Sequence, residues 1–584
     1  MISNRLDEGV LPSGSAPVIA PSRSPAARTS PSLFALALAI ASGGLVASLV
    51  HYDRTSWAGL SREWALLALV VAASLSLLAV VQTVLLRLGT GRPLSSVLRT
   101  VTRSFVPLIA LWPLFLAVTF SEAVHHVFVF HPGVVLYWGG VAFVFVVVQV
   151  ALVPVQLDPP VGFLRALAQG LAGLRHASFA GSNPLPLLVA AFFALRIVLI
   201  FAFDPAAPDN ASPPFEQAYR QATLADQGVY PYLGFWSEYP PAFPWLSTAI
   251  YRAVSFFGVT YDRYYLALVL TLLVFATGTL VLTYKTAEAA WGRAAAVQAA
   301  WLYTVLMIPT RGMFWFFDDI PTFFIMLATY LFVSQRHHTA ALAITIGALV
   351  KVAPLAVVPA LLKYVDGYSA RLRVVSVGAV GAAAVLLPLW WFGRTWFEAS
   401  VANMLARPPW ETVWAALDGY FGTGKVHDYR LNPAFATAYD YVGRLPGAVW
   451  VVPPLGLVLF YAFVAVMPNG RRDARSKVAL VLLCVVAFQL ALKGFSPQFV
   501  LWIIPLILVL KPTGSGFALT AGLTTLEQLR GPIHAALGAW WMVFAVGVRT
   551  AVLIALAVWA GRIAFPSFQL WRRRESGGNE PDSM

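Results

Sequence analysis

The sequence predicts an all-α protein, a polytopic bundle of about 16 membrane-spanning helices with one interfacial helix and external loops that form a site. Three observations predict it. Of 584 residues, 59% are hydrophobic and only 11% charged, and the mean hydropathy of +0.73 lies outside the range of soluble globular proteins. Apolar runs of about 20 residues, the length of one helical span, recur from residue 33 almost to the C-terminus. Basic residues fall mostly in short loops between those runs, the pattern that sets orientation in a membrane. The net charge of +14 therefore reads as topology rather than as a nucleic-acid surface. The lone cysteine, Cys484, excludes an internal disulfide and a cysteine-rich metal site.

Residues 1–31, rich in Ser, Pro, Ala and Arg, read as a disordered cytoplasmic arm. Residues 32–180 form a four-span extension, with runs at 33–50, 65–86, 104–121 and 133–155. Arg87, Arg92, Arg99 and Arg103 after the second run, and Arg165 and Arg175 after the fourth, mark cytoplasmic loops. The main domain, 181–565, opens with a span at 185–203, which delivers an acidic loop to the outer face. That loop carries Asp204, Asp209, Glu216, Asp226 and Glu238 against the single base Arg220. It ends in "FWSEYPPAFPW", and residues 240–257 read as an interfacial or re-entrant helix. Counting them as a span instead would throw Lys285 and Arg293 to the outside.

Further spans are predicted at 264–284, 295–309, 320–334, 339–350, 354–364, 374–392, 447–467, 478–492, 499–511, 514–527 and 534–562. This order keeps Arg336, Lys363, Arg371, Arg373, "NGRRDARSK" and the basic tail 566–584 on the cytoplasmic side. Several of these runs are too short to cross alone, and broken helices are tolerated where their backbone ends line a cavity. The pairs 339–364 and 478–511 are thus expected walls of a cavity open at the outer face.

Acids and bases from distant parts of the chain converge on that face. Glu216 and Glu238 come from the first loop, Asp318 and Asp319 from "FFDDIPTFF", Lys351 from "GALVKVAPL", and Lys493 and Gln498 from "LKGFSPQF". Ionisable groups at membrane depth are costly and default to a functional reading. A structural reading stands beside each: an i,i+4 pair of Glu216 with Arg220, helix capping by Asp318 or Asp319, and a snorkelling Lys351. The loop from Arg394 to Arg444 adds Trp396, Trp410, Trp414, Tyr420 and His427, residues that sugar sites and interfacial belts both use.

Taken in order, "FEQAYRQATLADQGVYPY", "EYPPAFPWL", "GMFWFFDDIPTFFIMLATYLF", "GALVKVAPLAVVPALL" and "KGFSPQFVLWIIPLIL" resemble the membrane-embedded GT-C glycosyltransferases, in particular glycosyltransferase family 87. The similarity covers about residues 185–530. It implies transfer of a sugar, with mannose favoured, from a polyprenyl-phosphate donor to a lipid or glycan acceptor on the extracytoplasmic face, with inversion. It implies a catalytic acid just before Tyr219, where this chain has Glu216 rather than the family's aspartate; Asp209 is the other candidate base. Substrate contacts are expected from Tyr219, Tyr230, Glu238, Tyr239, Asp318, Asp319, Lys351, Arg394, His427, Lys493 and Gln498, with the lysines and Arg394 or Arg430 holding the phosphate. The acids permit a divalent cation, but no spacing demands a metal site. The rival readings are a transporter or lipid-linked glycan flippase and a membrane scaffold. No nucleic-acid partner is expected.

Overall fold

The computed structural model describes residues 184–202, 213–307, 316–420, 426, 429–439, 441, 443–468, 472–537 and 539–566. The predicted arm, four-span extension and basic tail lie outside the described residues, as do Asp209 and His427. Within them the chain is helical, and pairing between extended segments is confined to two isolated bridges, Pro231 with Phe235 and Trp410 with Gly494.

In chain order the helices are α1 (Leu185–Ala202), α2 (Pro213–Asp226), α3 (Ala242–Ser255), α4 (Tyr261–Trp291), α5 (Arg293–Met307), α6 (Asp319–Val333) and α7 (His337–Val350). A 3-10 turn at Ala353–Val357 leads into α8 (Val358–Lys363), then α9 (Tyr368–Phe392), α10 (Arg394–Ala406) and α11 (Val413–Asp418). After a second 3-10 turn at Pro433–Ala436 come α12 (Pro446–Val466) and α13 (Ala474–Ala491). A third at Pro497–Trp502 precedes α14 (Ile504–Leu510), α15 (Gly514–Leu537) and α16 (Ala539–Ala564).

Five of these, α4, α9, α12, α13 and α16, are long and apolar enough to cross a membrane. Five shorter apolar stretches accompany them, α1, α6, α7, Ala353–Lys363 and Pro497–Leu510. Burial does not follow length: α14 and the third 3-10 turn have no exposed apolar side chain and the long α13 is enclosed along most of its length, whereas α1, α7 and Ala353–Lys363 expose Phe193, Leu342, Ile346 and Leu355. By contrast α9 buries only Val374 and Leu389. A helix apolar on every face that still lies on the outside is solvated by lipid, not water.

The expected interfacial helix is α3. Its fourteen residues span about 21 Å, short of the roughly 30 Å hydrocarbon core. Phe243, Ser247, Ile250, Tyr251 and Val254 form its buried stripe against α2 and α4. It runs out into Phe256 and Phe257, 86% and 81% exposed, an apolar edge of the kind that inserts at an interface. One boundary differs from the sequence reading. Residues 528–533 look like a loop but are helical, and α15 runs on to Leu537.

Loops assigned to one side by the charge pattern meet one another. At one end Arg472 grips Asp366 through two bonds of 2.6 and 2.7 Å. Nearby Lys363 Nζ donates to the carbonyls of Val464 and Met467 at 2.7 and 2.6 Å, closing the C-terminus of α12. At that same end Arg475 stacks on Trp291, whose indole donates to the Val509 carbonyl. The segments assigned to the opposite side gather around residues 236–239, 317–319, 351, 403–411, 430 and 493–502, and they build the site.

Candidate functional site

Two prolines set the first part of the site. Pro240 and Pro241 follow a bend at Glu238 and Tyr239 and keep it from continuing as helix, and Pro241 starts α3 where no amide donor is needed. The turn is pinned by Tyr232, whose hydroxyl donates to the Tyr239 carbonyl at 2.5 Å, and by the Ser237 amide, which donates to Ser400 Oγ at 3.0 Å. Glu238 is thereby turned inward. Its Oε2 lies 2.5 Å from Arg430 Nη1, with both side chains about 95% buried. The guanidinium lies over the Trp236 ring at 4.2 Å, and the Trp236 indole donates to the carbonyls of Tyr429 and Asn432. Burying such a pair is expensive, so its presence calls for a use.

The second part forms where α7 stops. Pro354 bars continuation of the helix, and Lys351 turns extended at φ −160° and ψ 137°. Its ammonium donates to both Asp318 oxygens, at 2.8 and 3.0 Å, and Asp318 Oδ1 also accepts from the Trp502 indole at 2.9 Å. The rings of Phe317, Phe499 and Trp502 surround the ammonium at 4.4–5.5 Å. Asp318 stands at the N-cap of α6 but makes no side-chain capping bond, because its carboxylate is committed to Lys351. The adjacent Asp319 is buried, and its Oδ2 has no hydrogen-bond partner. Phe317 stacks on Phe243 of α3 at 3.6 Å and meets the edge of Tyr239 at 4.8 Å, joining the two parts.

The third part is a dock between the loop after α10 and "KGFSPQ". The Trp410 amide donates to the Lys493 carbonyl, the Phe495 amide donates to the Trp410 carbonyl, and the Trp410 indole reaches Ser496 Oγ. Arg549 of α16 pairs with Glu527 of α15, donates to the Glu411 carbonyl and lies over Phe495. Lys493 donates to the Leu405 carbonyl at 2.6 Å and covers the Trp450 ring at 3.6 Å.

Burial, and then the Arg407 charge, pull the Lys493 ammonium down from 10.5 to about 7. With the folded pKa below the unfolded one, the unfolded chain binds more protons between these values, so stability must rise as pH climbs from about 7 toward 10.5. Thermal unfolding in detergent at pH 7 and 9.5 is expected to show that rise, and Lys493→Met is expected to shrink it. An identical pH slope in the variant would remove Lys493 as its source.

Not every predicted site residue joins these parts. Glu216 is 41% exposed and pairs with Arg220 at 2.5 Å, the i,i+4 arrangement. Tyr219 packs among Tyr251, Tyr261 and Tyr264, tying α2 to α3 and α4. Tyr230 stacks on Trp245 and accepts from Arg252. Arg394 pairs with the exposed Glu398, and Gln498 is buried with its Oε1 unpartnered. Glu238, Tyr239, Asp318 and Lys351 are brought together.

Sequence reading missed Asn403, Tyr439, Trp502 and the buried charges Arg196, Glu527 and Arg549. Arg196 in "FFALRIVLIF" and Arg549 in "VGVRTAV" carried a signal, an ionisable group inside an apolar run; Asn403 and Tyr439 carried none. Among the described residues, no three His, Cys, Asp or Glu side chains group where they could hold a metal ion.

Beside the site lies a cavity of about 440 Å³ between α7, α8 and α9. It is walled by aliphatic side chains and kept open by small residues, among them Gly378, Ala382 and Ala348. Its upper end is formed by Tyr232, Pro240, Pro241, Phe397 and Met404. Comparison with protein-family models, curated proteins and solved structures finds no match to this chain.

Proposed function

We propose that the protein is a membrane glycosyltransferase that moves a sugar from a polyprenyl-phosphate carrier to a lipid or glycan acceptor on the extracytoplasmic face. The observation that carries this reading is the apolar cavity, which borders the lipid-facing α9 and ends against the Pro240–Pro241 turn that bears Glu238. A long isoprenoid chain fits such a groove, and the head group then lies among Glu238, Arg430, Lys351 and Asp318. A water-soluble sugar nucleotide would have no use for the groove.

In this proposal a carboxylate takes the proton from the acceptor hydroxyl, which attacks the anomeric carbon opposite the phosphate. The C–O bond to phosphate breaks, the electron pair leaves with the polyprenyl phosphate, and configuration inverts. Glu216 is the base that the sequence resemblance supplies. Asp209 is the other base the resemblance allows, and Asp319, buried beside Asp318 with its Oδ2 unpartnered, is a third candidate. A base must lie within hydrogen-bond reach of the proton it takes.

The test is transfer by purified protein from long-chain and short-chain polyprenyl-phosphate sugars. Ala382→Phe, which fills the groove, is expected to raise KM for the long-chain donor and leave the short-chain donor little changed. Glu216→Gln is expected to lower kcat at least about 100-fold; if Asp319→Asn does so instead, the base passes to Asp319. Flux of lipid-linked sugar across vesicles without any transfer would establish the flippase reading in its place.

A further inference from the structure

We infer that Glu238, Arg430 and Asn403 form a subsite for the hydroxyl groups of a neutral sugar ring, separate from whatever holds the phosphate. The inference rests on the glycosyltransferase reading and names the part of the substrate this cluster recognises. Its basis is a set of buried polar atoms that the fold leaves open. Arg430 is 5% exposed, yet neither Nε nor Nη2 has a hydrogen-bond partner. Nη1 is taken up by the ion pair with Glu238 Oε2 at 2.5 Å, which leaves Nε and Nη2 as the uncommitted donors. Asn403 is 1% exposed and spends both Nδ2 hydrogens, on the Ala436 carbonyl at 2.8 Å and the Tyr439 hydroxyl at 2.6 Å. Its Oδ1 is left with no partner.

These groups belong to one place. Asn403 holds the Tyr439 hydroxyl directly, and the charges of Arg430 and Glu238 both act on that phenol. Ser400, one turn before Asn403, is bonded to the backbone of Ser237. Trp236, beneath the guanidinium, packs with Ala399 and Ala436. The cluster lies beside the groove, whose upper wall includes Pro240, two residues past Glu238, and Met404, next to Asn403.

The kind of ligand follows from hydrogen-bond parity. Arg430 Nε and Nη2, outside the pair with Glu238, offer only donors, while Asn403 Oδ1 offers only an acceptor. A ligand that satisfies both must donate and accept over a few ångströms, as vicinal hydroxyls do. Phosphate has oxygens for Arg430 but little to donate to Asn403, and Glu238 cancels the charge that would attract it. Buried polar atoms without partners are rare in folded proteins, and filling them is how a site selects a hydroxylated ligand over one lacking those groups.

The experiment is saturation-transfer NMR on the purified full-length protein in detergent, with methyl α-D-mannopyranoside as probe and inorganic phosphate as competitor. The wild type is expected to transfer saturation to the glycoside, unaffected by phosphate. Glu238→Gln and Arg430→Lys are each expected to weaken binding about tenfold or more, the worth of one charged hydrogen bond. No signal in the wild type, an unchanged signal in both variants, or displacement by phosphate overturns the subsite. Thermal unfolding monitors the fold, and the near-isosteric Glu238→Gln carries the comparison if Arg430→Lys does not fold. The readout does not depend on turnover. Glycoside bound here by a protein that transfers nothing sinks the enzymatic reading alone, and transfer with an unchanged signal in both variants sinks the subsite alone.

Discussion

Lys351→Met is expected to destabilise the protein by about 3–5 kcal/mol, the cost of leaving a buried charge without its partner. Asp318 is 1% exposed in its side chain and loses the donor that bonds both its oxygens. The Trp502 indole still reaches Oδ1, but one neutral donor does not balance an anion. Phe317, Phe499 and Trp502, which crowd the ammonium, would then face a thioether-bearing chain of similar length, so packing is largely kept and charge is the variable. Adding Asp318→Asn removes the orphaned charge and is expected to recover much of the loss. A double-mutant cycle, read by thermal or denaturant unfolding in detergent, should give a coupling of about 2 kcal/mol. Additive losses would mean that the two groups act separately, and the ion pair would then be no keystone of this end of the bundle.

Gly494→Ala is expected to release the loop between α10 and α12. A Cβ at residue 494 would come within 2.2–2.3 Å of three atoms of the six-membered ring of Trp410, and that ring cannot retreat freely. Its backbone is bonded on both sides, to Lys493 and Phe495, its indole holds Ser496, and Arg407 covers it at 4.2 Å. Overpacking of this kind costs about 1–3 kcal/mol, and here it falls on one dock rather than on the bundle. Limited proteolysis should therefore cut between residues 407 and 445 faster in the variant, while the global unfolding midpoint moves little. Trp410→Ala should make the same bonds fail by another route, and the double variant should be no worse than Trp410→Ala alone. Protease resistance equal to wild type in Gly494→Ala would show that the loop is held elsewhere.

Much of the bundle was legible because a membrane helix announces itself by apolar length, as α4, α9, α12 and α13 do. The Arg and Lys pattern groups the loops that hold Trp291, Asp366, Arg472 and Arg475, and the pairing of Arg472 with Asp366 and of Arg475 with Trp291 brings those loops to one end of the bundle. The breaks at Lys351 and before Pro497 could also be expected, since proline so close to an apolar run stops the helix. What could not be read was who pairs with whom. Of the adjacent acids Asp318 and Asp319, only the first meets Lys351, 33 residues away, and Trp502, 184 residues away. Nothing local distinguishes them. Glu216 illustrates the opposite case: its i,i+4 bond to Arg220 was visible in the sequence, whereas a substrate contact for it depends on a molecule the sequence does not encode. Asn403 was illegible for a third reason, because one amide on a mixed helix carries no pattern until Tyr439 and Ala436 fold over it.

The 184 residues between Asp318 and Trp502 also order events in time. A chain made from its N-terminus has produced Asp318 and Lys351 long before Phe499, Trp502 or the Trp410 dock exists, so both charges must wait beside apolar helices with one wall missing. The candidate site closes only with the last quarter of the chain, and a protein cut short before residue 493 would insert several helices yet own no finished site.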